Sequence, residues 1–154
     1  DYTLQPYFVK VFKQRWYVLA QSEYPDGRLL VYSLDRFTDV ERTDISYTIP
    51  SDFDINEHFR SFYGVSNLSN AQPEIVQLRI DASQVKFFRT LPLHHSQEEI
   101  ETTDAYSVFQ YYLVPTFELT KEILSNGPYI EVLLPLSLRE EIQSKAKKMA
   151  EMYK

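Results

Sequence analysis

Short runs of Val, Phe, Tyr and Leu, separated by polar turns, dominate the first fifty residues of the chain. Such runs predict β-strands, because branched and aromatic side chains fit a pleated surface. A proline and a glycine within residues 24–27 predict a turn after the second strand. Strands are predicted at residues 6–12, 16–20, 29–34 and 37–49. Four consecutive antiparallel strands in so short a segment predict a small β-barrel or a strongly bent sheet.

A helix-start signal follows Pro50. Asp54 and Glu57 have the spacing of a capping box, which predicts a short helix that runs to about residue 62 and stops at Gly64. Residues 65–73 are polar and end in a proline, so they predict a linker. We therefore expect three parts: a barrel at residues 1–50, a short helix and linker at residues 51–73, and a second domain at residues 74–154.

The second half has a mixed pattern of strands and helices. Strands are predicted at residues 75–80, 97–102, 106–114 and 129–134, and helices at residues 83–89, 117–125 and 138–153. This order is typical of a ferredoxin-like α+β domain with an added C-terminal helix. The last helix is predicted to begin at a capping box formed by Ser137 and Glu140. Its apolar stripe, which is expected to face a core, consists of Leu138, Ile142, Ala146, Met149 and Tyr153.

Composition and charge narrow the function classes. The chain has no cysteine, which excludes disulfides and thiolate metal sites and fits a reducing cytoplasm, where we expect the protein to be located. A net charge of −6 excludes a uniformly basic nucleic-acid-binding surface. The first fifty residues carry six basic and seven acidic residues, so an anionic ligand fits this segment better than the acidic remainder. The sequence contains no apolar run long enough for a membrane-spanning helix, so no membrane partner is expected.

Three adjacent residues, His94, His95 and Ser96, are the first candidates for catalysis. A nucleophilic serine needs a histidine base within hydrogen-bond reach and a third group that orients the base. Because no nucleophile elbow or glycine-rich oxyanion loop accompanies them, we expect both histidines to be structural, at the junction between a helix and the next strand. We therefore expect no enzyme activity and no catalytic residue.

Metal and cofactor sites also lack their usual patterns. The three histidines do not form an HExxH motif, and cysteine ligands are absent from the sequence. The acidic run of Glu98, Glu99, Glu101 and Asp104 has no central glycine and no alternation of Asp and Asn, so we interpret it as a solvated strand edge. The sequence has no P-loop and no GxGxxG motif, so we predict no cofactor and no metal.

Basic and aromatic residues on the first three strands are the strongest sign of a binding site. Small β-barrels bind oligonucleotides by stacking bases on aromatic rings while Lys and Arg hold the phosphates. The candidate ligand-binding residues are Lys13, Arg15, Tyr17, Arg28, Tyr32 and Arg36. Arg15 and Tyr17 are two residues apart and share a strand face, whereas Trp16 faces the other way. The alternative interpretation is that Trp16 belongs to the core and that the basic residues only pair with Asp35, Asp39 and Glu41.

These motifs resemble the WYL-domain family of transcriptional regulators. The segment RWYVLA at residues 15–20 is similar to the motif that names the domain, with Trp16 and Tyr17 in place and Val18 where leucine is usual. PYFVKVF before it and YSLDRF at residues 32–37 match the flanking pattern. The second half resembles the C-terminal extension of these proteins, in the segments at residues 52–65, 92–97, 115–135 and 137–142.

The resemblance implies a bacterial transcriptional regulator. In that family an N-terminal winged helix-turn-helix binds duplex DNA, an Sm/SH3-like barrel senses a ligand, and the extension helps the protein dimerise or modulates binding. The ligands that the resemblance implies are nucleotides or nucleic-acid fragments, including single-stranded DNA. The positions that match the family's ligand-facing residues are Tyr17 and Arg36, with Arg15 as a weaker match.

Two departures from the family pattern change what we expect of the ligand-binding arginines and of the barrel. Many members carry an arginine where this chain has Leu30, and Arg28, two residues earlier, is the candidate substitute. The chain also opens at Asp1, inside the pattern of the WYL domain, so we expect the first barrel strand and the helix-turn-helix to lie outside this sequence. A barrel without that strand has an exposed edge, which we expect a loop or another chain to cover.

The leading hypothesis is a ligand-sensing region that controls a DNA-binding domain outside this chain. Its expected partners are a single-stranded nucleic acid or a nucleotide, and a second copy of the chain. The alternative hypothesis is a structural dimerisation module that binds no ligand. The two hypotheses differ in whether the basic and tyrosine residues converge on one exposed site or scatter into ion pairs.

Overall fold

The computed structural model describes residues 2–23, 27–66 and 71–154. Residues 24–26 of the predicted turn and residues 67–70 of the predicted linker lie outside the described residues. The described residues form two compact units. The first unit runs to residue 60 and includes residues 64–66, and the second contains residues 61–63 and 71–154. Both units combine helix with an antiparallel sheet, which confirms the predicted α+β class.

The first unit is built on a three-stranded antiparallel meander. Its strands are β1 (Leu4–Phe12), β2 (Arg15–Ser22) and β3 (Leu29–Ser33), in the order β1-β2-β3. Lys13 and Gln14 connect β1 to β2, and both have a positive φ, at 46° and 65°. Positive φ at both central residues is typical of the type I′ turn, whose twist matches that of the flanking strands. The first three predicted strands are therefore confirmed, and the first two are joined by a turn of two residues.

The predicted fourth strand at residues 37–49 is wrong. In the described residues between Ser33 and Glu74 the chain forms no further strand. Every residue from Asp35 to Asp52 is exposed, and the alternating Ile45, Tyr47 and Ile49 pair with no strand within the described residues. The hydroxyl of Tyr47 anchors the segment by donating a hydrogen bond to the carbonyl oxygen of Pro6 at 2.6 Å. The predicted barrel is therefore an open three-stranded sheet within the described residues.

Helix α1 (Ile55–Phe59) begins where the capping residue predicts. The Asp54 carboxylate accepts a hydrogen bond from the backbone N–H of Asn56 at 2.7 Å. The helix ends at Phe59, before the predicted residue 62, and residues 61–63 belong to the second unit. The carbonyl oxygen of Ser61 accepts a hydrogen bond from the backbone N–H of Val114 at 2.8 Å, and Phe62 forms a parallel bridge with Val114.

The second unit has the predicted ferredoxin-like order of elements. These are β4 (Glu74–Asp81), α2 (Ala82–Thr90), β5 (Glu98–Thr102), β6 (Tyr106–Leu113), α3 (Phe117–Ser125), β7 (Ile130–Leu134) and α4 (Leu136–Glu151). The strands lie in the order β5-β6-β4-β7, and every neighbouring pair is antiparallel. The first and third strands of the motif therefore form the centre of the sheet, as in the split βαβ arrangement, and the prediction is confirmed.

One face of this second sheet carries the core. Alternate residues of β4 are completely buried, as the period of two in a strand requires. They pack against the buried side of β6 and against apolar residues of the helices; the cluster includes Val76, Leu78, Ile80, Phe88, Phe109, Leu113, Leu119, Ile123 and Leu138. The opposite face of β4 leaves Ile75 and Arg79 exposed, so the helices cover one side of the sheet.

The start of α4 differs from the prediction. The helix begins at Leu136, directly after Pro135, so Ser137 lies inside the first turn and does not act as a cap. Pro135 is the N-cap residue, with an extended backbone and no side-chain hydrogen bond to the first turn. The predicted apolar stripe is right in its first half, where Leu138 is buried and Ile142 packs on the core. It is wrong beyond that, because Met149 is half exposed and Tyr153 lies past the end of the helix.

Leu78→Ala should lower the free energy of unfolding of the second unit by about 2–5 kcal/mol, because it leaves a cavity at a fully buried position. Ile75→Ala, on the same strand but at a half-exposed position, is the matched control and should cost much less. Urea unfolding followed by far-ultraviolet circular dichroism measures both changes. Equal losses in the two variants would show that the core does not lie on the face that carries Leu78.

Candidate functional site

The strand register brings two sequence motifs to one end of the first sheet. Arg15 of β2 pairs with Phe12 of β1, and Tyr17 of β2 pairs with Ser33 of β3. Ser33 is the last residue of β3, so the residues that follow it turn beside the start of β2. They form a single 3-10 turn, Leu34–Arg36, that holds the Leu-Asp-Arg motif. The Trp-Tyr motif and the Leu-Asp-Arg motif therefore meet next to the β1–β2 turn.

Four of the six candidate ligand-binding residues lie at this place, which we call the hairpin end and define as Lys13, Arg15, Tyr17 and Arg36. Lys13 is in the β1–β2 turn, Arg15 begins β2, and Arg36 ends the 3-10 turn. The three cationic residues are exposed, and Tyr17 is half-buried. The hairpin end thus presents three positive charges and one aromatic ring on neighbouring segments.

The other two candidate residues lie elsewhere on the sheet. Tyr32 pairs with Val18, so its side chain leaves the sheet on the face opposite that of Tyr17. Its hydroxyl is buried and has no hydrogen-bond partner among the described residues. Arg28 stands five residues before Ser33, which corresponds to ~17 Å along an extended strand. The register therefore separates Tyr32 and Arg28 from the hairpin end.

An ion pair connects the two motifs. Nη1 of Arg15 lies 3.1 Å from Oδ2 of Asp35, and more than half of each side chain is exposed. The hydroxyl of Ser33 donates a hydrogen bond to the same carboxylate. This hydrogen bond, together with the positive charges of Arg15 and Arg36, lowers the pKa of Asp35. Asp35 is therefore ionised at neutral pH, and one of the ion pairs that the alternative interpretation expected is present.

Trp16 is an exposed residue that the alternative interpretation placed in the core. That part of the alternative is wrong, because 58% of Trp16 is exposed. Its cross-strand partner Val11 is 50% exposed, so this end of the sheet is open on the face that carries Trp16. The sequence position of Trp16 could have indicated its exposure. Trp16 stands just after the β1–β2 turn, where the chain has few neighbours that could cover it.

Lys10, the β1 neighbour of Tyr17, has a structural role that the sequence did not indicate. Its Nζ donates a hydrogen bond to the carbonyl oxygen of Gly64 at 2.7 Å and lies 4.1 Å from the centre of the Phe59 ring. These contacts hold α1 and the segment after it against β1. Burial, and then the charge of Lys10, lower the pKa of the neighbouring His58, which is therefore neutral at pH 7. Lys10 and α1 thus support the face on which Tyr17 lies.

The turn that contains His94 and His95 is built around a serine hydroxyl. His94 is buried, and its Nδ1 lies 2.7 Å from Oγ of Ser96. The same Oγ accepts a hydrogen bond from the backbone N–H of Tyr112 at 2.9 Å and lies 3.3 Å from the carbonyl oxygen of Tyr112. The ring of His95 packs against that of His94, with 4.1 Å between their centres and 37° between their planes. Because Ser96 Oγ is bound to the end of β6, the geometry supports a structural role for this segment.

The acidic residues of β5 are engaged in contacts with their neighbours. Glu99 accepts two hydrogen bonds from Arg89, at 2.8 and 2.6 Å, and they lower the pKa of Glu99 to about 2. Glu101 accepts a hydrogen bond from the hydroxyl of Tyr106 at 2.8 Å. Across residues 2–23, 27–66 and 71–154, no three His, Asp or Glu side chains are placed to hold a metal ion together. In the same part of the chain, no helix has the length and apolar character needed to cross a membrane.

His94→Gln should lower the free energy of unfolding of the second unit by about 1 kcal/mol, because it removes a buried ring whose Nδ1 contacts Ser96. His95→Gln, at the exposed neighbouring position, is the matched control and should have a smaller effect. Urea unfolding measures both variants. A ligand or metal ion bound by the two rings, with no change in stability, would contradict a structural role.

Comparisons with known proteins point to one family. The model of the WCX domain matches residues 72–150, about half of the chain. No curated protein matches the chain significantly. The residues that match the WCX model run from the segment before β4 to the last turn of α4, and so include every strand of the second sheet.

Two solved structures are similar over nearly the whole chain. The crystal structure of a CRISPR Cas-related protein has a TM-score of 0.55 and 14% identity, and the match covers 99% of this chain and 43% of that one. Proteasome accessory factor B/C (PafBC) of Arthrobacter aurescens has a TM-score of 0.38 and 19% identity, and the match covers 92% of this chain and 21% of that one. The chain thus spans less than half the length of either protein, and the first match shows a shared fold.

The WCX match falls on the half of the chain whose segments resemble the C-terminal extension of WYL-domain proteins. The resemblance drawn from the sequence motifs is therefore confirmed. The chain belongs to the WCX-domain family, which forms the C-terminal part of WYL-type regulators.

Proposed function

We propose that this chain is the ligand-sensing region of a bacterial WYL-type transcriptional regulator and that it binds a short single-stranded nucleic acid or a nucleotide at the hairpin end. The observation that carries the proposal is the convergence of Lys13, Arg15, Tyr17 and Arg36 on neighbouring segments of the first unit. Lys13, Arg15 and Tyr17 lie on one hairpin, and the β2–β3 register brings Arg36 of the Leu-Asp-Arg motif beside them.

The chemistry of the hairpin end suits a phosphate-bearing ligand with an aromatic base. Lys and Arg attract phosphates, and Arg binds them through several N–H donors at once. A tyrosine ring provides a stacking surface for a base of any sequence. The remainder of the chain is acidic, with ten basic and fifteen acidic residues after residue 50, so a long nucleic acid would be repelled. The preferred ligand in this proposal is therefore only a few nucleotides long.

The regulatory part of the proposal concerns a domain outside this chain. Ligand binding at the hairpin end would alter a helix-turn-helix that contacts duplex DNA, as the WYL resemblance implies. No catalytic step is included in this function. The arrangement of His94 and Ser96 supports that choice, because the hydroxyl is bound to the backbone of Tyr112.

Binding of a short labelled oligothymidine should weaken steeply with salt. Each phosphate neutralised contributes a slope of about −0.7 in a plot of log affinity against log salt for single strands, so three cationic contacts give about −2. Arg36→Ala should weaken binding and make the slope shallower by less than one unit. Tyr17→Ala should instead cost about 1–3 kcal/mol of stacking with little change in slope. Fluorescence anisotropy over a range of salt concentrations measures all three.

Two matched variants control this experiment. Tyr17→Phe keeps the ring and should bind nearly as well as the unchanged protein, which separates stacking from loss of fold. Arg28→Ala removes an exposed arginine that lies far from the hairpin end and should change affinity much less than Arg36→Ala. Affinity that does not depend on salt, or a stronger effect of Arg28→Ala than of Arg36→Ala, would contradict the proposed site.

A second candidate function is a dimerisation module that binds no ligand. The observation in its favour lies on the face of the second sheet opposite the helices. There Ile75 and Tyr112 are cross-strand partners, and they are 48% and 57% exposed. Exposed apolar pairs on the central strands of a sheet are suited to contact with a second copy of the chain.

Sedimentation velocity over a range of protein concentrations tests this second candidate. If the face carrying Ile75 and Tyr112 forms the dimer, Tyr112→Ser should weaken the dimer at least several-fold, because the ring is lost from the interface. Phe87→Ser, which removes a similarly exposed ring from α2, is the matched control and should leave the dimer intact. A protein that stays monomeric at every concentration, or that dissociates equally in both variants, would reject this face as the interface.

A further inference from the structure

We infer that Asp35 is an internal competitor for Arg15, so that a ligand phosphate must displace the Asp35 carboxylate before it can bind the guanidinium. The inference rests on the proposed function, because it describes how the hairpin end would receive an anionic ligand. It concerns a residue that weakens binding, whereas the four residues of the hairpin end are proposed to strengthen it.

The first step of the argument is the geometry of the ion pair. Oδ2 of Asp35 lies 3.1 Å from Nη1 of Arg15, which is the distance at which a phosphate oxygen would also bind. A carboxylate and a phosphate oxygen present the same kind of acceptor to a guanidinium. Asp35 therefore occupies a position on Arg15 that the ligand would use.

The second step is that the position of the carboxylate is determined by the fold. Asp35 lies in the 3-10 turn that follows β3, and the pairing of Ser33 with Tyr17 sets where that turn begins. The hydroxyl of Ser33 donates a hydrogen bond to the Asp35 carboxylate, which orients it further. The contact with Arg15 is therefore a product of strand register and of a local hydrogen bond.

The third step is that the pair can be exchanged. The side chains of Arg15 and Asp35 are 59% and 51% exposed. Exposed ion pairs contribute little to folding stability, so a ligand with further contacts can open this one without unfolding the site. An anion that touches only Arg15 gains little by replacing Asp35. A ligand that also reaches Lys13, Tyr17 or Arg36 gains additional contacts. Competition by Asp35 therefore lowers the affinity of a small anion more than it prevents a larger ligand from binding.

Asp35→Asn tests the inference, because it removes the charge while keeping the shape and an oxygen that Ser33 can reach. Affinity for the short labelled oligothymidine should rise about three- to five-fold, the ratio expected when an exposed ion pair no longer competes. Glu23→Gln removes a charge of the same sign beyond the other end of β2 and is the matched control, with less than a two-fold change expected. Asp35→Glu, which retains the charge, should bind like the unchanged protein.

A double-mutant cycle separates competition at Arg15 from a general effect of charge. In the Arg15→Ala background, Asp35→Asn should change affinity less than two-fold, because the contested guanidinium is absent. An equal gain in both backgrounds would overturn the inference. A lower affinity of the single variant Asp35→Asn would also overturn the inference. That result would mean that Asp35 holds Arg15 in place for the ligand.

Inorganic pyrophosphate provides a second probe that does not depend on nucleic-acid binding. Titration followed by nuclear magnetic resonance should show a lower dissociation constant for Asp35→Asn than for the unchanged protein and for Glu23→Gln. If oligothymidine and nucleotides fail to bind any variant, the proposed function is wrong, and the pyrophosphate titration still decides whether Asp35 shields Arg15. Equal pyrophosphate affinities in the three proteins would overturn the inference about Asp35.

Discussion

The register of the β1–β2–β3 meander is the constraint on which the candidate site depends. The two-residue turn at Lys13 and Gln14 sets the β1–β2 register, because so short a loop requires the residues on either side of it, Phe12 and Arg15, to pair. The β2–β3 register then ends β3 opposite Tyr17. A slip of one residue between β1 and β2 would move Tyr17 to the other face relative to β1, and a slip between β2 and β3 would take Asp35 away from Arg15.

The hairpin end combines groups that attract an anion with one that repels it. Arg15 and Arg36 flank Asp35, and the same positive charges that would bind a phosphate also contribute to the lowered pKa of Asp35. The balance between them lies at the surface, where each contact is weak and can be exchanged. This arrangement suits a sensor, which must release its ligand, better than a permanent binding site. The ion pair of Arg15 with Asp35, which the alternative interpretation expected, is therefore compatible with a ligand site at the same place.

The second unit has a larger buried core than the first. Its sheet buries alternate residues of β4 and β6 under three helices, whereas the first sheet has three strands and one short helix. Several apolar residues of the second unit lie outside this core, among them the cross-strand pair of Ile75 and Tyr112, which are 48% and 57% exposed. An exposed apolar pair on central strands is suited to contact with another molecule, which distinguishes this face of the sheet from the helix-covered face.

The sequence by itself determined the elements whose signals are local. Strand composition, the Asp54 cap and the order of elements predicted three strands, α1 and the ferredoxin-like half, because these depend on neighbours within a few residues. The tertiary structure decided the rest. Residues 37–49 have the composition of a strand but pair with no other strand in the described residues. Trp16, which the alternative interpretation placed in the core, stands beside a turn and is 58% exposed. The meeting of Arg15, Tyr17 and Arg36, and the distance of Arg28 from them, follow from strand register, which no single segment of the sequence contains.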